Sequence, residues 1–275
     1  MNNSFNQPLV SVVIPVYSST QKHLEYLEQT IQSVANQTYK NFELIIIDDV
    51  SPLDINSTIE KIDGIETIRI IRNNINLGHA ESRNIGIRYA EGELIAFLDH
   101  DDIWLPQKLK KQVEILKSDT SIGFVFCRCE IIGDNADRLN INQSIIPQNP
   151  DFCWFVKHGN FTITASAVLT HKKIMEEIGL FDSRYSTCDD FDAWLKICEK
   201  YKSAYMPEVL IKYRLHESNV NYTVDRLNDN ILLTSLIWNY AKKTAFKEKL
   251  CLYPRIVRKL IGRIYFFFRR YREFK

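Results

Sequence analysis

The chain has 275 residues, 45% of them hydrophobic and 25% charged, so it can bury a sizeable core and is not a disordered polymer. A formal net charge of +1 argues against a nucleic-acid binder, because phosphate-tracking proteins carry a marked basic excess. The six cysteines lack the density of a secreted disulfide scaffold and read as reduced thiols of a cytosolic protein, and with no basic leader and no run of about 18 apolar residues neither a signal peptide nor a membrane span is expected.

In chain order, "LVSVVIPVY" (9–17) and "FELIIID" (42–48) are short β-branched runs of the kind buried on both faces of a parallel sheet. Between them, Leu24, Leu27, Ile31 and Val34 form one helical stripe. "ETIRIIRN" reads as a third strand, "ESRNIGIRYAEG" as a helix closed by Gly92, and "ELIAFLD" as a fourth strand; Pro106 then starts a helix carrying Leu109, Val113 and Leu116. This alternation predicts right-handed βαβ units and a mostly parallel sheet flanked by helices. The second half is less regular. "IGFVFCRCEIIG" is a strand, "FTITASAVLTHKKIMEEIGLFD" a strand running into a helix stopped by Gly179, and "DDFDAWLKICEKY" a helix with Trp194, Ile197 and Tyr201 inward. "EVLIKYRLHESNV" is a last strand ending at His216. Cys127 and Cys129 would share a strand face, but no second Cys or His pair has the spacing of a zinc site.

In open α/β sheets ligands sit beyond the carboxyl ends of the strands, where Tyr17, Asp48, Asp49, Asp99, Asp101 and Asp102 fall. Carboxylates as close as Asp99, Asp101 and Asp102 repel unless a cation neutralises them, and a hard divalent ion shared with phosphate oxygens is the usual remedy. The plainer account is a helix N-terminus, which explains one of the acids and strains to explain three. Asp48 and Asp49 also suit a turn before Ser51 and Pro52. Gly78 followed by Arg83 suits a diphosphate, although an arginine on a solvated helix face is the commoner case. Asp189 and Asp190 suit a helix cap, and His216 a core histidine. With no G-x-G-x-x-G and no P-loop, a dinucleotide oxidoreductase and an ordinary NTPase are disfavoured.

Taken in order, "VSVVIPVYSS", "LEQTIQSVANQTYKNFELIIIDDVS", "NLGHAESRNIGI", "GELIAFLDHDDIWLPQKL", "GLFDSRYSTCDDFDAWLKI" and "YRLHESNV" resemble family 2 glycosyltransferases of the GT-A fold, over about residues 8–220. The resemblance implies a catalytic domain over 1–225; residues 226–275 lie outside it and read from their own pattern as a C-terminal helical, basic extension. The resemblance further implies that Asp49, with Asp48 beside it, holds the nucleotide base in a pocket lined by Pro15 and Tyr17. Gly78, Arg83, Asp99 and His100 would bind the rest of the nucleotide, with Asp99 near the ribose. Asp101 and His216 would hold Mn²⁺ or Mg²⁺, Asp190 would be the general base, and Asp189 is the second candidate for that role. The implied reaction is inverting transfer from a nucleotide-diphosphate sugar, with a UDP-sugar favoured, to a saccharide acceptor. Two departures stand out: Val50 replaces the usual small residue after the acid pair, and His100 replaces the more usual serine.

The tail "PRIVRKLIGRIYFFFRRYREFK" (254–275) mixes a basic face with Ile, Tyr and Phe, which suits either an anionic membrane surface or packing on the catalytic domain. A peripheral place at the inner face of the cell membrane would suit a polyprenyl-diphosphate-linked acceptor in O-antigen or capsule synthesis. Two rival readings are a sugar nucleotidyltransferase, which would need a glycine-rich basic loop where "VYSSTQKHLEYL" has no glycine, and a catalytically silent nucleotide- or carbohydrate-binding module.

Overall fold

The two β-branched runs become neighbouring strands whose every residue is buried. The computed structural model describes residues 7–133, 136, 143–160, 164–185, 187–217, 235, 236, 239 and 240, and the basic stretch 254–275 lies outside the described residues. The strands are β1 (Val10–Val16), β2 (Phe42–Asp48), β3 (Ile68–Arg72), β4 (Leu94–Phe97), β5 (Ile103–Trp104), β6 (Ile122–Ile132), β7 (Val168–His171) and β8 (Lys202–Arg214). The helices are α1 (Gln21–Ala35), α2 (Asn56–Ile59), α3 (Gly78–Tyr89), α4 (Lys108–Ser118), α5 (Phe152–His158), α6 (Lys172–Glu177) and α7 (Asp189–Cys198).

One eight-stranded sheet runs in the order β3-β2-β1-β4-β7-β6-β8-β5. The ladders β1–β2, β1–β4, β2–β3 and β6–β8 are parallel, while β4–β7, β6–β7 and β5–β8 are antiparallel. The expected mostly parallel α/β sheet is therefore present, with every antiparallel ladder made by β7 or β8. Registers of Val16 with Asp48 and of Val13 with Phe97 bring β1, β2 and β4 out at one edge, which sets Tyr17, Asp49 and Asp99 beside each other.

Several boundaries depart from the sequence expectation. Of the strand expected over "FTITASAVLT", residues 161–163 lie outside the described residues and the rest is a 3₁₀ turn at Ala165–Ala167 leading into β7, because Ala and Ser lack the branched surface that favours a strand. The last strand begins at Lys202, ahead of Glu208, and ends at Arg214, so His216 lies just past it. Tyr201 follows α7 instead of ending it, and bonds Glu177 through its hydroxyl. Helix α3 begins at Gly78, earlier than the expected segment, because Asp49 supplies its N-terminal acceptor.

Packing fixes the elements that carry polar groups. Gly86 lets α3 lie directly on β1, since a Cβ there would meet Val13 Cγ1 at 2.3 Å. Behind the sheet edge, the Trp194 ring stacks on Phe124 at 5.2 Å, and Phe181 meets Phe97 edge-on at 5.0 Å. The start of α7 is thereby tied to the middle of the sheet.

Val50, just after β2, has φ 64°. A β-branched side chain in the left-handed region crowds the following carbonyl, at a cost of about 1–2 kcal/mol, which glycine avoids while adding chain entropy to the unfolded state. Val50→Gly is therefore expected to raise stability by about 0.5–1 kcal/mol in urea unfolding; a lowered midpoint would mean that the Val50 side chain packs more than it strains.

Candidate active site

A cavity of about 470 Å³ opens at the strand ends, in the size range of small-molecule sites. Its walls include Pro15, Tyr17, Asp49, Gly78, Arg83, Asp99, His100, Asp101, Asp189, Asp190 and His216. Of the candidate site residues from the sequence, all but Asp48 line this cavity.

Asp48 and Asp49 separate because neighbours at a strand end point to opposite sides. Asp48 accepts the Ser51 N–H at 2.8 Å and pairs with Arg72, so it builds the turn after β2, and only Asp49 reaches the cavity wall. Asp48, expected beside Asp49 at the nucleotide, is therefore not among the residues that line the cavity. Asp49 is itself heavily used. Its Oδ1 accepts Asn73 Nδ2 at 2.7 Å and the Leu77 N–H at 2.8 Å, and its Oδ2 accepts the Gly78 N–H at 2.8 Å. A carboxylate at the start of α3 satisfies orphan amides and suits the helix dipole. Gly78, at φ 79°, makes the turn into that helix and spends its N–H on Asp49. Tyr17 stands at the mouth, 42% exposed, with its ring available as a flat platform.

Arg83 lies at the centre. Only 5% exposed, it donates to Asp99 Oδ1 at 2.6 Å and to Asp189 Oδ2 at 3.2 Å, while its Nε is buried with no hydrogen-bond partner. Asp189 also meets His79 Nε2 at 3.0 Å. Burial alone would push the Asp99 carboxyl up, but the charge and hydrogen bond of Arg83, with His79 and Thr164, hold it below the ordinary range.

On the other side, Asp101 Oδ2 lies 2.8 Å from His216 Nε2. His23 adds a third ring, 6.0 Å from His216 and 5.8 Å from His100 between centroids. Burial, then His100 and His216, lower the His23 pKa against the pull of Asp101. Asp102 behaves differently from its neighbours. Fully buried, it accepts the Arg214 N–H at 3.0 Å, and burial together with Asp101 and Asp99 pushes its carboxyl well up. It closes the turn after β4 and does not line the cavity. His100 Nε2 is buried without a hydrogen-bond partner.

Asp190 stands apart from the Arg83 network. Its Oδ1 accepts the Phe191 N–H at 2.6 Å and its Oδ2 accepts Asn160 Nδ2 at 2.9 Å. Burial and then Asp189 push its carboxyl up to about 6, against the opposing pull of Asn160, Arg83 and the Phe191 amide. The acid pair is thus divided: Asp189 is engaged by a cation and a histidine, and Asp190 faces the cavity with basicity in the range a proton acceptor needs. Asn160, Thr164, His23 and His79 were not singled out from the sequence. His79 directly follows the highlighted Gly78, so it was the one within reach; the others are joined to the site only by the fold.

A mostly parallel sheet presenting Asp49, Asp99 and Asp101 at one cavity, with an acid pair opening a later helix, is the arrangement that the resemblance to GT-A glycosyltransferases implies. The model of Glycosyl transferase family 2 matches residues 11–179, and the chain belongs to that family. Similar proteins include an uncharacterized glycosyltransferase of Methanocaldococcus jannaschii, 31% identical over 90% of this chain and 83% of that one. Another is the putative teichuronic acid biosynthesis glycosyltransferase TuaG of Bacillus subtilis, 32% identical over 87% of each chain. Among solved structures, S. aureus TarS 1-349 with UDP-GlcNAc superposes with TM-score 0.64 at 15% identity, covering 91% of this chain and 79% of that one. The mannosyltransferase PcManGT of Pyrobaculum calidifontis with GDP-Man and Mn²⁺ gives TM-score 0.64 at 18% identity, over 94% and 75%. These two likenesses establish the GT-A fold.

Removing Arg83 would leave Asp99 and Asp189 without their shared cation, and breaking such a buried arrangement costs about 3–5 kcal/mol. A carboxyl held low in the folded state adds stability above its unfolded pKa and loses it as pH falls through the folded one. Arg83→Met should therefore be most destabilised near neutral pH, with the gap to wild type closing below about pH 4, as chemical unfolding across pH would measure. A gap independent of pH would show that Arg83 acts by packing alone.

Proposed function

We propose that this glycosyltransferase is an inverting enzyme that moves a sugar from a UDP-sugar to a saccharide acceptor in surface polysaccharide synthesis, with Asp190 as general base. The observation that carries the reading is the division of the acid pair: Asp189 is bound to Arg83 and His79, whereas Asp190 keeps a cavity-facing carboxylate raised to about 6. In the reaction the acceptor hydroxyl attacks the anomeric carbon from the face opposite the diphosphate. Its O–H bond breaks with the proton passing to a carboxylate oxygen of Asp190, while the bond from the anomeric carbon to the diphosphate oxygen breaks and the electron pair leaves with the nucleotide. Attack from that face inverts the anomeric carbon.

The preference for uracil rests on Asp49. A carboxylate has about four acceptor positions, and three are taken by Asn73, Leu77 and Gly78. The remaining position on Oδ2 suits the single imide N–H of a uracil ring, whereas guanine presents two N–H groups at its pairing edge. Tyr17 would stack on the base from the cavity mouth. TarS is seen with UDP-GlcNAc and PcManGT with GDP-Man, so both base types occur among folds of this kind.

The donor set of Asp101 and His216 fits a divalent cation such as Mn²⁺ or Mg²⁺. Among the described residues no three His, Cys, Asp or Glu side chains form a cage, so an ion held by Asp101 and His216 would need the rest of its shell from other oxygens, such as those of the diphosphate. Such an ion supplies charge compensation for the leaving diphosphate. Arg83 holds Asp99 at the same edge, and Asp99 is placed to accept from a ribose hydroxyl. TuaG, described as acting in teichuronic acid biosynthesis, supports a polysaccharide acceptor. Among the described residues no helix is long and apolar enough to cross a membrane. The basic residues 254–275 would instead hold the enzyme at an anionic inner membrane face, next to a lipid-linked acceptor.

Asp190→Asn removes the proton acceptor and little else. Turnover of a UDP-sugar should fall by about 10²–10⁴, with metal-dependent UDP affinity unchanged, and wild-type kcat should fall as pH drops below about 6 because protonated Asp190 cannot act as base. A variant that turns over at the wild-type rate would contradict the assignment, and a wild-type protein that binds UDP without turnover would favour a silent binding module.

A further inference from the structure

We infer that Asn160 is a positioning residue for the reaction: its side-chain amide fixes the orientation of the Asp190 carboxylate toward the acceptor. This rests on the reading of Asp190 as base.

The geometry around Asp190 leaves Asn160 a specific task. Oδ1 is held from within α7 by the Phe191 N–H at 2.6 Å, which alone would leave the carboxylate free to turn about that bond. Oδ2 is held from outside the helix by Asn160 Nδ2 at 2.9 Å. Two donors, one on each oxygen, fix the carboxylate plane, and each oxygen keeps an acceptor position for the incoming proton.

Asn160 is itself firmly supported. It follows α5, whose Phe155 and Val156 are fully buried and which packs against α7, the helix that carries Asp190. Gly159, at φ 109°, ends α5 with its N–H on Phe155 O at 2.7 Å and turns the chain so that Asn160 lines the cavity. A few residues later Thr164 Oγ1 donates to Asp99 Oδ2 at 3.0 Å. The two described ends of this connection therefore touch the carboxylates on both sides of the site.

The chemical type also fits. A lysine or arginine at this position would hold Asp190 strongly ionised and weaken it as a base, and an apolar residue would leave a buried carboxylate beside Asp189 to take up a proton and stay neutral. A neutral amide donor lies between: it favours the charged form without a competing charge, and so opposes the rise that burial imposes on Asp190.

The test is the carboxyl titration of Asp190 in the full chain, read by ¹³C NMR of aspartate-labelled protein with Asp190→Asn identifying the signal, in wild type, Asn160→Ala and Asn160→Gln. Asn160→Ala should move the titration to higher pH. Its kcat should fall about tenfold at pH 6 and still about threefold at pH 8.5, where Asp190 is ionised and only its orientation is lost, with Asn160→Gln in between and UDP affinity unchanged in both variants. An unshifted Asp190 titration in a folded Asn160→Ala, or a wild-type kcat at pH 8.5, would overturn the proposal. Because the NMR titration needs no turnover, a shifted signal in a protein that transfers no sugar would leave the Asn160 contact standing and count against the reading of Asp190 as base.

Discussion

Arg83 sits between Asp99, just beyond β4, and Asp189, at the start of α7, and almost everything in the site is arranged around that buried cation. Stripping a guanidinium and two carboxylates of water is expensive, and the attraction between them offsets the cost only when donors and acceptors meet well. Here they do at both carboxylates, with Thr164 and His79 taking further acceptor positions, while the Arg83 Nε remains the buried donor without a partner. The consequence is chemical as well as structural. Asp99 is kept ionised, Asp189 is occupied, and Asp190 next to it experiences mainly burial and a negative neighbour. The cation thus engages Asp189 directly and leaves Asp190 to burial and a negative neighbour, which is how a single fold can set an acidic binding edge beside a proton acceptor.

A second carboxylate plays the matching part at the other end of the cavity. Asp49 gathers Asn73, Leu77 and Gly78 and so fixes where α3 begins, while Gly86 lets that helix lie flat against Val13. Since Arg83 is on α3, the placement of the cation follows from the turn after β2. Val50, held in the left-handed region within that turn, is the strained point of the arrangement.

Much of this was legible in the amino-acid sequence, for identifiable reasons. β1 and β2 are short runs dominated by Val and Ile, which suit buried strands, and Leu24, Leu27, Ile31 and Val34 repeat at helical spacing. The acids at the strand ends were visible because charge directly after such a run needs explanation. What stayed hidden depends on three dimensions. Asp48 and Asp49 are alike in sequence, and only the pleat sends one to the turn and the other to the cavity. Strand β5 is two residues long and exists because β8 pairs with it. Helix α5, "FCWFVKH", is too short and aromatic for its period to be read, so Asn160 behind it carried no signal. His23 joins Asp101 and His216 only after the sheet has brought α1 beside the chain that follows β8.

The central claim is that charge clustered at this sheet edge is matched to a uridine diphosphate and a divalent cation. Isothermal titration calorimetry of UDP and GDP, each with and without Mn²⁺, on wild type and Asp101→Ala tests it most directly. Manganese-dependent UDP binding, at least about tenfold tighter than GDP and without metal dependence in Asp101→Ala, is the predicted result. GDP binding as tightly as UDP would contradict the assignment of Asp49 to a single imide N–H, and metal-independent binding in wild type would contradict the pairing of cation and diphosphate at Asp101.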